Sequence, residues 1–462
     1  MNNANAAWLP ELIYADGKFQ TARLIVCDDR GFIVSSSTES NQPIHLRNRA
    51  VLPGLVNAHS HAFQRVIRGR TEYRTNEEKD SFWTWREMMY SAAERLTPDD
   101  VYDASRMAFL EMALSGVTSV GEFHYLHHAP NGETYDDPNL LARQVVRAAE
   151  DVGLRIALLR VAYARSGFET EPNPRQLRFI EEDPQTYLKH LDQLISDLGS
   201  STSAWAGLAP HSVRAVPLEY LREVIAFGNT KRLPIHMHVA EQPAEISACI
   251  AEHGRSPVAL LATEGLLSER FTAVHAIHVS PKAVPMLAES RALVCACPTT
   301  ERNLGDGVVP VDLYFQNGVR VSLGSDSHVQ IDLLEDAREL EYNLRLQKME
   351  RAVLSPENVQ SRSALAARLF ECATVRGAES IGLRGGELNE GSAADFFTVD
   401  LNDPSIAGST AEDLLSSVVF SLSRTAVKDV FVGGKQIVSD GQHFHQEEIV
   451  SRFKKLQHKL WN

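Results

Sequence analysis

Imidazoles and carboxylates recur at four places in this chain, each directly after a short apolar run. Asn57-Ala-His59-Ser-His61 follows the first. His236-Met-His238-Val-Ala-Glu241, His275-Ala-Ile-His278 and Gly324-Ser-Asp326-Ser-His328 follow later ones. On an extended strand, residues two apart project to the same side, so His59 and His61 can reach one ion. A lone H-x-H pair can be two surface histidines, and a lone Asp after a strand is ordinarily a turn or cap. Four runs that each deliver such a group point instead to one shared metal. Nitrogen and oxygen donors suit a catalytic zinc that keeps a position open for water. His59, His61, His238 and Asp326 are the expected ligands. Water bound to zinc has a pKa near ~7 and becomes a nucleophile. Asp326 is then the acceptor of its proton, Glu241 a proton carrier to the leaving nitrogen, and His275 a hydrogen-bond partner of the attacking oxygen. His328 is expected to orient the Asp326 carboxylate.

Such groups need a scaffold that gathers strand ends. Between about 51 and 384, eight apolar runs alternate with amphipathic stretches. The runs are Ala50–Val56, Val117–Phe123, Leu154–Val161, Ala204–Pro210, Leu233–Val239, Thr272–Ile277, Ala292–Cys297 and Gly318–Gly324. One intervening helix is predicted from Thr97, a cap, and Pro98, suited to a first turn. The alternation predicts an α/β fold, a (β/α)8 TIM barrel, whose catalytic groups lie at the C-terminal ends of the strands. Residues 1–50 and 385–445 share another texture, short apolar runs split by Asp and Gly, and predict one small β-sandwich module built from both termini. A closing helix is expected over 446–462.

The chain has 462 residues and a net charge of -14. A nucleic-acid binder carries a basic face, so nucleic acid is not an expected partner. An anionic substrate would have to find arginines inside the pocket. The five cysteines, Cys27, Cys249, Cys295, Cys297 and Cys372, are sparse and odd in number, which fits a reducing compartment and no disulfide framework. Cys295 and Cys297 alternate within an apolar run and read as a buried strand. Met1-Asn-Asn-Ala-Asn-Ala-Ala-Trp lacks the layout of a secretory leader, and no apolar run reaches ~18 residues. No membrane contact is expected, and the cytoplasm is the expected compartment.

Over nearly its full length the sequence resembles the amidohydrolase superfamily. The resemblance rests on Leu52-Pro-Gly-Leu-Val-Asn-Ala-His-Ser-His, the His238/Glu241 pair, His275 and Gly324-Ser-Asp326-Ser. It implies the split β-module and a homodimer. Many binuclear members carry a bridging lysine after the fourth strand. Ala209-Pro-His211-Ser stands there instead, which implies one zinc per subunit and the deaminase and chlorohydrolase branch.

Segments beside the ligands are similar to those of the formiminoglutamate deiminase family of histidine degradation. They are His61-Ala-Phe-Gln64-Arg, Phe82-Trp-Thr-Trp-Arg86-Glu, Glu122-Phe-His-Tyr125-Leu-His-His, His211-Ser-Val-Arg214-Ala-Val and Asn303-Leu-Gly-Asp-Gly. This similarity implies hydrolysis of a linear amidine C–N bond, formimino to formyl, with loss of ammonia. The substrate is then a small dicarboxylate. Arginine grips carboxylates with two prongs, so Arg86 and Arg214 are the expected carboxylate ligands. Gln64, Tyr125 and His211 are further substrate contacts by position. Plainer roles stand beside these: Arg86 stacking on Trp83 or Trp85, Arg214 pairing with a surface acid, Gln64 and Tyr125 as packing. His127 and His128 read as loop residues. Arg65, Arg68, Arg70 and Arg74 read as a solvated helix face or a contact between copies. Two rival functions make different demands. A deaminase of an aromatic base, such as guanine or a thioadenosine, predicts an aromatic pocket with few arginines. A non-catalytic sensor predicts the loss of a ligand or of Glu241. Formiminoaspartate differs from formiminoglutamate by one methylene, worth only ~1–3 kcal/mol in a pocket.

Overall fold

A computed structural model describes residues 6–34, 42–74, 82–171, 173–357 and 359–462. The apolar runs form eight parallel strands: β1 (Leu55–Ser60), β2 (Val117–His124), β3 (Arg155–Ala162), β4 (Ala204–Pro210), β5 (Ile235–Val239), β6 (Phe271–His275), β7 (Leu293–Ala296) and β8 (Arg320–Leu323). Each pairs with the next in chain order. Ser60 bridges Asp326 in parallel. The His61 N–H donates to the Asp326 carbonyl (3.1 Å) and the Asp326 N–H to the His59 carbonyl (3.0 Å), so β8 closes onto β1 as a barrel. Barrel side chains fill the interior and helices cover the outside. Both faces of β1, β2 and β3 are therefore buried throughout, and the runs read as continuous rather than alternating.

The first expected run, Ala50–Val56, divides between two sheets. Residues through Pro53 end a long strand, Ile44–Pro53, that pairs antiparallel with Phe396–Asp400, register Leu52 to Phe397. Only after Gly54 does β1 begin. A Cβ on Gly54 would lie 2.2 Å from Thr118 Oγ1, so only glycine fits this crossing. Both strand types are apolar and short of polar punctuation, which is why one run spans them. Strands from both termini join in one nine-stranded sheet. It wraps a small core in which Phe396 stacks on Phe431 (centroids 4.5 Å) and Trp8 meets both edge-on at 5.4 Å. The Arg155 guanidinium, at the start of β3, grips Asp395 with two prongs (2.7 and 3.2 Å) and locks this sheet to the barrel.

Before α1 (Phe82–Ala93) and α2 (Pro98–Leu114), a 3-10 turn over Ala62–Ile67 folds the basic run inward. The expected solvated face is thus corrected. Arg65 (2.6 Å) and Arg68 (2.7 Å) hold the two oxygens of Glu111 on α2, and Arg70 stacks on Trp461 at 4.7 Å. Arg74 is exposed. Trp461 ends the closing helix, Gln446–Trp461. All five cysteines are free and buried. Among the described residues no helix is long and apolar enough to cross a membrane.

Thr97 caps α2 as predicted: its hydroxyl accepts from the Asp100 N–H while Asp100 accepts from the Thr97 N–H, a reciprocal box. Replacing Thr97 with Ala should cost about 1 kcal/mol. Equilibrium unfolding in denaturant reads this, with metal content unchanged.

Candidate metal centre and active site

The ligand atoms of His59, His61, His238 and Asp326 all lie within 4.8 Å of one another, and all four residues are buried. His59 and His61 come from the end of β1, His238 from β5 and Asp326 from the turn after β8. The His59 Nε2 is 3.1 Å from that of His61 and 3.2 Å from that of His238. Asp326 Oδ1 is 3.2 Å from His61 Nε2. Two of the three outer nitrogens are committed, while that of His59 is buried without a partner. His61 Nδ1 donates to the Phe123 carbonyl (3.0 Å) and His238 Nδ1 to the His211 carbonyl (3.1 Å). Their Nε2 lone pairs therefore converge on each other and on a carboxylate. A cation at the centre is what satisfies such a set, and carbonyl-anchored imidazoles are the usual arrangement around one. Burial drives His59 down to about 3, keeping it in the neutral form that binds metal. The four groups are placed so that they could hold a metal ion.

Backbone conformation concentrates here. Ala240, His275, Ala276, Asp326 and His328, all at strand ends, have φ between 47° and 68°. Non-glycine residues adopt that region at a cost and persist in it where surrounding bonds fix them. Those bonds are present: Ala276 N–H to the Val239 carbonyl (2.9 Å), His278 N–H to that of Ala240 (2.9 Å), and the Ala240 and Glu241 N–H groups to the two oxygens of Glu245 (3.1 Å each). A Cβ on Gly324 would sit 2.7 Å from that of His59, so glycine admits the closest approach of β8 to β1.

Beside the metal site, His275 Nε2 lies 3.7 Å from Glu241 Oε1 and 3.8 Å from Asp326 Oδ2, while its Nδ1 meets Glu301 at 3.2 Å. Burial works against a charged imidazole, but these three carboxyl groups outweigh it and carry His275 well above its ordinary value. Burial raises Glu241 to about 8, so it holds a proton at neutral pH. Cys297, with His275 and Glu301, forms a second buried group of donors next door.

The pocket over the ligand cluster has a cavity volume of about 60 Å³ and is lined by Gln64, Arg86, Tyr125, His211, Arg214, Glu241 and His275 among others. All the sequence-predicted catalytic, substrate-binding and metal residues line this cavity except His59, which sits in the ligand cluster beside it. Gln64 donates to the Tyr125 hydroxyl (2.7 Å). Burial, then the Arg214 charge, keeps His211 far below its usual range and neutral. Arg86 stacks on Trp83 at 4.4 Å, one plain alternative, yet its Nε and Nη1 are buried with no hydrogen-bond partner. Arg214 donates to the Ser166 carbonyl (3.3 Å) rather than to a surface acid. Among the described residues neither arginine forms an ion pair.

The other histidines lie outside the ligand cluster, His127 and His128 in the loop after β2 as expected. His127 and His128 are buried, bonded to the carbonyls of Val161 (2.8 Å) and Ile180 (3.0 Å). His236 faces away, onto Ser380, and His278 meets the Asp306 carbonyl. His328 does not orient Asp326: its left-handed backbone turns the ring back to Ser60 (3.0 Å) and Ser325 (3.1 Å). Ser60 in turn donates to Glu122 (2.5 Å), which also accepts from the Ala62 N–H (2.7 Å). This chain behind the ligands went unassigned in the sequence, where Glu122 is one acid inside an apolar strand.

Residues 50–437 match the amidohydrolase family profile, so the chain belongs to the amidohydrolase family. Among its relatives is the formimidoylglutamate deiminase of Pseudomonas aeruginosa, 38% identical over 405 residues, 87% of this chain and 88% of that one. The 5-methylthioadenosine/S-adenosylhomocysteine deaminase of Pyrococcus furiosus is 28% identical over 96% of this chain and 98% of its own. A crystal structure of an amidohydrolase from Brucella melitensis superposes with a TM-score of 0.89 at 32% identity, covering 99% of this chain and all of that one. The protein is accordingly a hydrolase acting on C–N bonds, of the deaminase type.

Two outcomes follow. Asp326→Ala or His238→Ala should weaken metal binding by more than about 100-fold, beyond what loss of an outer partner does, as measured by metal analysis after dialysis. Burial raises Glu122 from 4.5 to about 8. A raised carboxyl stabilises the fold fully below 4.5 and loses that contribution as pH climbs through about 8. Wild type should therefore lose stability relative to Glu122→Gln between about pH 5 and about pH 8 in denaturant titrations.

Proposed function

We propose that this protein catalyses zinc-dependent hydrolytic deimination of N-formimino-L-glutamate to N-formyl-L-glutamate and ammonia. The observation that carries the reading is the pair Arg86 and Arg214, half-buried in the pocket beside the ligand cluster with no acidic ion-pair partner among the described residues, two of the Arg86 nitrogens being fully buried and unpartnered. Leaving a buried cation unpaired is costly unless a ligand anion completes it. In a chain of net charge -14, two such cations beside a hydrolytic site suit a dicarboxylate. The 38% identical formimidoylglutamate deiminase supports the same substrate.

His59, His61, His238 and Asp326 would hold the zinc; three imidazoles and a carboxylate are its customary donors. Bound there, zinc supplies Lewis acidity that activates water near neutral pH. The residues do the rest. Arg86 and Arg214 bind the carboxylate end of the substrate, with Gln64, Tyr125 and His211 around the amidine. Asp326, ionised despite burial because His59 and His61 hydrogen-bond it, takes a proton from water as the new C–O bond forms at the formimino carbon. His275, held between Glu241 and Glu301, donates a hydrogen bond to that oxygen. Glu241 enters protonated and delivers its proton to the amidine nitrogen. Asp326 passes the proton it took from water to the same nitrogen, the C–N bond breaks, ammonia leaves, and the second water proton returns to Glu241 as the formyl C=O forms.

A second reading is deamination of an aromatic base. Phe82, Trp85 and Phe179 also line the pocket, and the thioadenosine-type relative covers the whole chain. The two readings separate on ammonia release by zinc-loaded protein given N-formimino-L-glutamate, formiminoaspartate, guanine or 5-methylthioadenosine. Turnover of the first is expected; turnover of a purine alone would sink the deiminase reading while leaving the metal site intact. Glu241→Gln should lower kcat by about 100-fold or more, the range for a general acid-base group, with zinc retained.

A further inference from the structure

Above the metal site, on the side of the two arginines, the pocket holds a second polar cluster that the reaction above does not use. Tyr90 comes from α1, Tyr163 from just past β3, and Gln176 from a 3-10 turn, Pro174–Gln176. All three are almost fully buried, at 2%, 3% and 1% exposure. The single Gln176 amide nitrogen lies 2.7 Å from both tyrosine hydroxyls. The turn that carries it is fixed from outside: Arg175 pairs with Glu87 (2.7 Å) and Glu94 (2.9 Å) of α1.

An amide NH2 has two hydrogens, one for each hydroxyl oxygen. Both phenols are thus engaged as acceptors, and each keeps its own hydrogen to donate. The polar groups next to them on the cavity side are the guanidinium groups of Arg86 and Arg214, which only donate. The phenol hydrogens are left to the cavity, where Arg86 also presents two unpartnered N–H groups. Two cations and two hydroxyl groups around one part of the cavity suit an anion with several lone pairs, and the buried Gln176 amide oxygen behind the hydroxyls makes no hydrogen bond.

We propose that Tyr90 and Tyr163, held by Gln176, complete with Arg86 and Arg214 a single four-donor site for one carboxylate of the substrate, and so are specificity-determining residues. The assignment rests on the deiminase reading. A purine offers no charge to such a site and would leave its donors unpaired, so the cluster selects for the carboxylate itself. Gln176 is a positioning residue: it touches no ligand and acts by aiming the phenol hydrogens.

The test is calorimetric titration of zinc-loaded protein with N-formyl-L-glutamate and with two ligands that each lack one of its carboxylates, N-formyl-4-aminobutyrate and N-formyl-2-aminobutyrate. Tyr90→Phe and Tyr163→Phe, which remove one atom each from otherwise unchanged rings, should each weaken N-formyl-L-glutamate by about 10- to 100-fold, as expected for a hydrogen bond to a charged group. The same changes should weaken one of the two monocarboxylates and spare the other, the one missing the carboxylate served here. Gln176→Leu should raise KM for N-formimino-L-glutamate with kcat within about threefold of wild type, the split expected when only binding shared by ground and transition states is lost. Wild-type affinity in both Phe variants, or equal weakening of both monocarboxylates, would overturn this assignment alone. Failure of the wild-type protein to bind N-formyl-L-glutamate would overturn it together with the deiminase reading.

Discussion

The site exists because β8 closes onto β1 through two backbone hydrogen bonds, His61 N–H to Asp326 and Asp326 N–H to His59. That seam joins residues more than half the chain apart. It also decides which side chains meet, since the residues that form it are three of the four metal ligands. The left-handed backbone of Asp326 and the bare Cα of Gly324 are what let the turn after β8 come this close. Behind the seam, Asn57, Ser60, Ser325, His328 and Glu122 form a continuous buried hydrogen-bond chain spanning β1, β2 and the β8 turn. A buried polar network that is fully paired specifies one arrangement, and this one holds the ligand-bearing strand ends in register.

Charge follows the same logic of completion. On the metal side, lone pairs converge and call for a cation. On the α1 side, donors converge and call for an anion. The two halves of the cavity are complementary to the two ends of an amidine dicarboxylate, one to be polarised and hydrolysed, the other to be gripped. Trp83 and Tyr90 pack against the Arg86 guanidinium and limit its freedom, so stacking and binding are one arrangement rather than rival roles.

Much of this was legible in the chain. Apolar runs that end in His, Glu or Asp announce barrel strands and their catalytic ends together, and the two-residue spacing of His59 and His61 gives their common side. Arg86 and Arg214 were legible through the segments around them. What stayed hidden depends on distance in sequence. Tyr90, Tyr163 and Gln176 come from three separate elements, and no local pattern links them. Ala50–Pro53 looks like barrel strand because a buried module strand has the same composition. Arg65 and Arg68 look solvated until the 3-10 turn sets them against Glu111. His328 sits two residues from Asp326, yet its backbone conformation, invisible in the sequence, turns it toward Ser60.

The composite sheet also bears on how the chain comes to be folded. Ile44–Pro53 lies between Ala6–Ala15, which precedes it, and Phe396–Asp400, which is made only after the whole barrel. Until the latter leaves the ribosome, the emerging N-terminal segment presents an unsatisfied, apolar strand edge. The barrel seam waits too, since β1 must be joined by β8. Both closures are long-range contacts, whose loop entropy is met before any pairing rewards it. Neither closure can form until Phe396–Asp400 and β8 have been made, and until then the growing chain is exposed to aggregation or chaperone capture.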